Sequence, residues 1–126
     1  MTCCGKKILV VEDNEQNMEL FCDILEAKGY KVFKAVDGEA GVELAKKEKP
    51  DLIIMDMQLP QMDGFAAVKL IREDPIVKGV CIIAVTAHAM KGDEENFKKA
   101  GCSAYIPKPI VIKDFLTKVA NCMAKG

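Results

Sequence analysis

The sequence DLIIMD at residues 51–56 decides the fold. Its aliphatic run, Leu52 to Met55, is followed at once by the carboxylate of Asp56. A continuous apolar run without alternation is typical of a strand that is buried on both faces of a parallel sheet. The acid that ends the run would then lie at the carboxyl edge of the sheet, where sheets of this kind bind their ligands.

Similar short runs, rich in Val and Ile, occur along the rest of the chain. Together they predict five strands, at Ile8–Val11, Lys31–Ala35, Leu52–Met55, Val80–Val85 and Ala104–Ile106. The longer segments between them have helical spacing, with a core-facing stripe that follows i, i+3, i+4, i+7 in the first segment. The stripe of the first helix is Met18, Phe21, Cys22 and Leu25, and that of the last is Ile112, Phe115, Leu116, Val119, Ala120 and Met123.

Residues that favour helix ends stand at the expected boundaries. We predict that Asn14 caps the first helix and Gly29 ends it, that Pro50 stops the second, that Asp63-Gly64 opens the third, and that Gly101 ends the fourth.

Five strand–helix repeats predict an α/β fold with a parallel sheet and right-handed crossovers. We expect one domain over residues 1–126, with residues 1–6 as a mobile N-terminal segment. A flavodoxin-like, doubly wound (βα)5 sheet with strand order 2-1-3-4-5 fits this size. Its topological switch point lies between strands 1 and 3.

Composition and charge exclude several classes of function. The 126 residues carry a net charge of -1, which gives no basic field for nucleic acid or an anionic membrane. No apolar run approaches the roughly 20 residues that a membrane helix needs, so we expect no membrane insertion. The apolar run near the N-terminus is too short for a signal peptide, and a cytoplasmic location is expected.

Six cysteines raise the possibility of disulfides or a zinc site. They form no C-x-x-C pair, and the chain has a single histidine to complete a zinc site. Reduced thiols that behave as small hydrophobic side chains are the favoured interpretation. Incidental oxidation or metal capture is plausible at Cys3-Cys4, near the N-terminus.

Three acids are predicted to meet at the switch point. Glu12 and Asp13 follow strand 1, and Asp56 ends strand 3. Any one of them could be an ordinary turn residue or helix cap, but like charges at this distance repel unless a cation joins them. Oxygen ligands without an imidazole favour a hard ion, with Mg2+ first and Mn2+ as a possible substitute.

Thr86 and Lys108 follow strands 4 and 5 and would complete this edge. A hydroxyl and an ammonium beside an Asp nucleophile and a metal site meet the needs of phosphoryl transfer to a carboxylate. Lys108 could equally be a solvated or structural ion-pair partner.

Several segments resemble the receiver domains of two-component signalling. They are VVEDNEQNMELF, IIMDMQLPQMDG, AVTAHAMKGDEE and AYIPKP, and the resemblance extends from about Lys6 to Met123. Motifs in this number, order and spacing make the resemblance specific. Single-domain regulators of the DivK type and receivers attached to hybrid kinases are the most similar.

The resemblance implies a role for each site residue. Asp56 would be the phosphoacceptor, Asp13 a direct Mg2+ ligand, Glu12 a ligand through water, and the backbone carbonyl of Gln58 a third protein ligand. The remaining roles concern the switch: Thr86 would be the switch hydroxyl, Lys108 the phosphoryl-pairing lysine with a cis bond to Pro109, and Tyr105 the aromatic that follows Thr86. The side chains of Gln58 and His88 would tune dephosphorylation from the rim, and Met90 and Phe97 are either output surface or core.

A receiver would take its phosphoryl group from a histidine kinase or a histidine phosphotransfer protein and act on a downstream protein target, without being an enzyme in its own right. Three alternatives remain: a haloacid dehalogenase type phosphatase, which would want an acid where Gln58 stands; a flavodoxin-like cofactor binder; and a pseudo-receiver that is never phosphorylated. The chain could be a natural single domain or a piece of a hybrid kinase.

Overall fold

The computed structural model describes residues 6–59, 64–77, 79–86 and 93–125. In this part of the chain five strands alternate with five helices. Strands and helices follow each other in the order β1 Lys7–Val11, α1 Glu15–Ala27, β2 Lys31–Ala35, α2 Gly38–Glu48, β3 Leu52–Asp56, α3 Gly64–Glu73, β4 Cys81–Thr86, α4 Asp93–Ala100, β5 Ala104–Pro107 and α5 Ile112–Lys125.

The strands form one parallel sheet in the order β2-β1-β3-β4-β5, which confirms the predicted topology. The predicted strands agree with the observed ones to within a residue at each end. All five residues of the central strand β3 are buried. β2 pairs with one side of β1 and β3 with the other, so the direction in which strands are added to the sheet reverses at β1. A crevice opens there, at the carboxyl ends of β1 and β3.

Helices cover both faces of the sheet. On one face α1 and α5 pack through side chains such as Phe21 and Phe115, whose ring centroids are 5.2 Å apart. On the other face α2, α3 and α4 pack through Val42, Val68 and Phe97. Alternate residues of each strand point to opposite faces, so both faces need apolar side chains and the inner strands β1, β3 and β4 appear as nearly unbroken apolar runs.

The predicted helix boundaries are present where the structure describes them. Oδ1 of Asn14 accepts a hydrogen bond of 2.9 Å from the backbone of Asn17 and caps α1. Gly29 and Gly101 follow α1 and α4 with φ values of 92° and 110°. These left-handed conformations favour glycine because it has no Cβ. Helix α2 ends at Glu48, just before Pro50.

The predicted stripe of α1 is buried as expected, but that of α5 needs a correction. Phe115, Val119 and Cys122 form its buried face, whereas Ile112 is 48% exposed and Ala120 is also exposed. Ile112 begins the helix, ahead of the turn that packs on the sheet. Ala120 follows Val119 by one position, which is a rotation of about 100° away from the core.

Four cysteines lie in the described part as free thiols. Burial raises the pKa of Cys22, and it raises the pKa of Cys102 to about 11. These two thiols therefore stay protonated and pack as apolar groups. The predictions for Cys3-Cys4, Asp63, His88, Met90 and the first five residues of the N-terminal segment lie outside the described residues, as does the one for the side chain of Met123.

Candidate functional site

The sheet places the acids of the site side by side. Val11 and Met55 are register partners in β1 and β3, so the residues that follow them, Glu12 and Asp56, are neighbours across the crevice. Together with Asp13 they present carboxylate oxygens that lie within 4.8 Å of one another. The structure thus brings together the three acids that the sequence predicted to meet.

The three acids differ in how far they are removed from water. Glu12 is 1% exposed and Asp56 is 2% exposed, while Asp13 is exposed. Burying a carboxylate is costly unless hydrogen bonds or a cation compensate. The two buried carboxylates therefore need partners, and Asp13 adds further negative charge at the open side of the crevice.

Backbone groups satisfy part of this need. The backbone N–H of Gln58 donates to Oδ1 of Asp56 at 2.9 Å, and that of Asn14 donates to Oε2 of Glu12 at 3.1 Å. Oε1 of Glu12, although buried, accepts no hydrogen bond from any described residue. A buried oxygen left in this state indicates room for a further donor or a cation.

Lys108 supplies the cation that faces the acids. Its Nζ lies 3.4 Å from Oδ2 of Asp56 and 3.7 Å from Oε1 of Glu12. The peptide bond to Pro109 is cis, as the resemblance implied, and the backbone N–H of Lys108 donates to the carbonyl of Thr86 at 2.8 Å. This hydrogen bond joins the ends of β4 and β5 and fixes the backbone from which the Lys108 side chain extends.

The charge of Lys108 does not neutralise the site completely. Burial, together with the hydrogen bond and charge of Asp56, raises the pKa of Glu12 from 4.5 to about 7, against the opposite effects of the Asn14 N–H and of Lys108. Among the described residues, one ammonium lies against a cluster of three carboxylates, so a second positive charge would be accommodated here.

The donor set fits a hard divalent cation. Carboxylate oxygens in close proximity, with no sulfur or imidazole among the clustered groups, are the ligands that Mg2+ prefers. Oε1 of Glu12 supports the same interpretation, because it is buried 3.7 Å from Nζ of Lys108 and accepts no hydrogen bond from a described residue.

The other predicted site residues lie around this cluster. Thr86 ends β4 and is buried, one position after Val85, the register partner of Asp56. Gln58 lies at the rim with an exposed side chain, and its backbone N–H holds Asp56. Tyr105 is in the middle of β5, half-buried, and its ring contacts are to α4 and α5 instead of to the acids. Phe97 is buried in the core.

The contacts of two further residues, one beside Asp56 and one beside Tyr105, were missed in the sequence. A Cβ on Gly64 would lie 2.5 Å from Cα of Met57 and 2.9 Å from the carbonyl oxygen of Asp56, so only glycine lets α3 begin this close to the site. Lys118 lies over the Tyr105 ring. The sequence marked Gly64 only as a helix start and gave no signal for Lys118.

Comparison with known proteins gives the family of the chain. The family model of the response regulator receiver domain matches residues 8–120. The polar-differentiation response regulator DivK of Brucella anthropi is 45% identical over 116 residues, which are 92% of this chain and 94% of that protein. DivK of Brucella ovis is equally similar, with 45% identity over the same length.

Solved structures give the same result. The receiver domain of the sensor histidine kinase PA1611 from Pseudomonas aeruginosa, with a magnesium ion coordinated in its active site cleft, superposes with a TM-score of 0.88 at 36% identity, covering 96% of this chain and 99% of that chain. The chemotaxis protein CheY4 of Vibrio cholerae superposes with a TM-score of 0.88 at 27% identity, covering 94% of this chain and 99% of that chain. Within the described residues, no helix is long and apolar enough to cross a bilayer.

Proposed function

The chain belongs to the response regulator receiver family of two-component signalling, and from this premise we propose that Asp56 accepts a phosphoryl group and switches the protein. The donor would be the phosphohistidine of a histidine kinase or of a histidine phosphotransfer protein. The protein would act in the cytoplasm as a switch, catalysing only its own phosphorylation and slow dephosphorylation.

The observation that carries this function is the state of the Asp56 carboxylate. It lies at the switch point, buried, with Oδ1 held by the Gln58 N–H at 2.9 Å and Oδ2 at 3.4 Å from Nζ of Lys108. A carboxylate fixed in this way is oriented for attack, and a cation stands beside the place where phosphoryl oxygens would lie. Positioning and charge neutralisation are what phosphoryl transfer requires of a protein.

In the reaction, a carboxylate oxygen of Asp56 attacks phosphorus in line with the phosphorus–nitrogen bond of the donor. That bond breaks, its electron pair stays on the imidazole nitrogen, and an acyl phosphate forms on Asp56. Lys108 pairs with a phosphoryl oxygen, and the Thr86 hydroxyl donates to another. Gln58 keeps the nucleophile in place through its backbone N–H.

We propose Mg2+ as the cofactor, with Mn2+ as a substitute. Asp13, Asp56 and the backbone carbonyl of Gln58 would hold it directly and Glu12 through water; these acids form the cluster described above. When bound, the ion neutralises negative charge on the phosphoryl oxygens. A magnesium ion in the cleft of the related PA1611 receiver supports this assignment.

Phosphorylation would change the surface of the protein that partners bind. The acyl phosphate adds about -1.5 to -2 charge, which draws Thr86 inward and lets Tyr105 follow. The surface formed by α4, β5 and α5 then changes and controls a protein target, without direct contact to nucleic acid or insertion into a membrane. Driving such a switch nearly to completion takes about 5 kcal/mol of preference for one state, which a few charge-assisted hydrogen bonds can supply.

Intact-mass measurement tests the phosphoacceptor. With Mg2+ and acetyl phosphate, the wild-type chain is expected to gain one phosphoryl group and Asp56→Asn none. The matched control is Asp51→Asn, just before the other end of β3, whose carboxylate accepts a hydrogen bond from the Lys7 N–H. This variant should be phosphorylated like the wild type.

Three outcomes would contradict the assignment. A wild-type chain that gains no phosphoryl mass would be a pseudo-receiver, and an Asp56→Asn variant that gains as much as the wild type would place the acceptor elsewhere. Steady turnover of a phosphate monoester by the wild type would instead favour the phosphatase alternative.

A further inference from the structure

Tyr105 is held between two helices by contacts of different kinds. It lies on β5, an edge strand of the sheet, and its side chain is half-buried. On the α4 side its ring centroid is 5.5 Å from that of Phe97, at an interplanar angle of 33°. On the α5 side Nζ of Lys118 lies 5.4 Å from the ring centroid. An ammonium at this distance over a ring is attracted by the negative face of the π system.

The space around Tyr105 does not by itself fix the ring. A cavity of about 130 Å³ lies on one side, lined by Phe97, Cys102 and Ser103, and one of about 200 Å³ lies on the other, lined by Ile106, Val111 and Asp114. Tyr105 and Lys118 line both cavities and thus form the partition between them. Because there is room on either side, the contacts of the ring decide where it stays.

The Lys118 ammonium also has an alternative partner on its own helix. Asp114 precedes it by four residues on α5, a spacing that brings an acid and a base together on one helix face, in the more favourable order. Asp114 lines the larger of the two cavities, together with Tyr105 and Lys118. The ammonium can therefore leave the ring without losing all of its attraction to the protein.

We propose that Lys118 is a positioning residue for the switch: through its cation–π contact it holds Tyr105 between α4 and α5 in the unphosphorylated chain. This inference rests on the proposed function, since it assigns Lys118 to the switch that Asp56 would drive. A ligand of the Asp56 site that moves Tyr105 must then break this contact, so the strength of the contact lowers the apparent affinity for that ligand.

The test uses the tyrosine emission of the protein itself. The chain has two tyrosines and no tryptophan, so a Tyr30→Phe background leaves Tyr105 as the one emitting side chain. Beryllofluoride with Mg2+ serves as the phosphoryl analogue, and its half-saturating concentration is read from the Tyr105 emission. In Lys118→Met, which keeps an unbranched stem without the charge, this concentration should fall roughly two- to fivefold.

Three variants separate positioning from mere covering of the ring. Lys118→Arg keeps a cation over the ring and should stay at the wild-type concentration. Asp114→Asn removes the competing acid and should raise the half-saturating concentration. Lys113→Met removes an exposed cation from the same helix, away from the ring, and should change nothing. A side chain that only covers Tyr105 would alter its quenching by acrylamide, a neutral quencher, without moving the titration.

The possible failures can be told apart. Equal half-saturating concentrations in the wild type, Lys118→Met and Lys113→Met would overturn the role of Lys118 and leave Asp56 untouched. If the wild-type chain itself gains no phosphoryl mass and does not respond to beryllofluoride, the proposed function fails and the role of Lys118 in a switch fails with it. Acrylamide quenching of the untreated variants would still show whether Lys118 holds the ring.

Discussion

Two charged side chains at opposite edges of the sheet differ in how well their hydrogen-bonding groups are satisfied. At the amino edge, Arg72 of α3 donates to the carbonyl of Gly101 at 2.8 Å and 2.6 Å and to that of Val80 at 2.5 Å. At the carboxyl edge, Glu12 is buried with one oxygen that accepts no hydrogen bond from a described residue. Backbone oxygens compensate the charge of Arg72. The Glu12 carboxylate is less well compensated, and its pKa is raised to about 7.

The difference separates a charge that the fold satisfies from one that it leaves partly unsatisfied. Arg72 ties the end of α3 to the segments that lead into β4 and β5, and its stem packs where a Cβ on Gly101 would come within 2.9 Å. The hydrogen-bond donors of such a group are satisfied within the fold, so it needs no ligand. Glu12 stabilises nothing by its charge alone, since a poorly compensated buried carboxylate opposes folding. A binding site is thus recognised here by what the fold leaves unsatisfied.

The largest expected effect is on the Arg72 side. Arg72→Met should lower the free energy of unfolding by about 3 kcal/mol, because it leaves the carbonyls of Gly101 and Val80 without their charged donor. Urea denaturation measures the change. Lys69→Met, an exposed cation on the same helix, is the matched control and should stay within about 0.5 kcal/mol of the wild type. If the two variants were equally stable, Arg72 would not be the satisfied charge described above.

The next effect concerns Glu12 and pH. In the folded chain the pKa of its carboxyl is about 7, against an ordinary value of 4.5. Between these two values the folded chain therefore binds more protons than the unfolded chain. Stability from this group is therefore fully present below 4.5 and is lost as the pH rises through about 7.

Urea denaturation of metal-free protein at about pH 5 and about pH 8 should show this loss, on the order of 2 kcal/mol, in the wild type and not in Glu12→Gln. The comparison between the two proteins cancels the titration of all other groups. If the wild type loses no more stability than Glu12→Gln over this range, the pKa of the Glu12 carboxyl is not raised in the folded chain.

A smaller effect should follow from adding Mg2+. An ion that binds the folded chain alone stabilises it by about 1.4 kcal/mol at ten times its dissociation constant. This gain should appear in thermal denaturation of the wild type near neutral pH and should be reduced in Asp13→Asn. Asp37→Asn, which changes the carboxylate that caps α2 and is not part of the acid cluster, serves as the control. Equal stabilisation of all three proteins would indicate that the ion binds elsewhere.

Much of the carboxyl edge could be predicted because its residues are adjacent to strand ends in the sequence. Glu12 and Asp56 each follow an apolar run directly, and Asp13 is next to Glu12. The sheet topology then brings the three together. The same logic failed for α5, where Ile112 and Ala120 continue an apolar spacing but do not face the sheet. Helical period gives the direction of a stripe, yet the extent of a buried face depends on what packs against it.

Arg72 and Lys118 could not be predicted for a different reason. The partners of Arg72 are backbone carbonyls, 29 residues away at Gly101 and 8 away at Val80, and a carbonyl has no letter in the sequence. The ring under Lys118 belongs to another element, so the contact depends on how α5 lies across β5. Both side chains look like ordinary basic residues on a helix surface.

The full burial of β3 has a kinetic consequence. Its amides are bonded to β1 and β4 and covered on both faces, so they should exchange hydrogen with solvent only when the whole molecule unfolds. The amides of β5, a short strand with one neighbour in the sheet, should exchange through local opening. Asp56 would then sit on the slowest-exchanging segment and Tyr105 on a fast one. The phosphoryl group would thus bind to the most rigid strand, and the conformational response would occur at the strand that opens most easily.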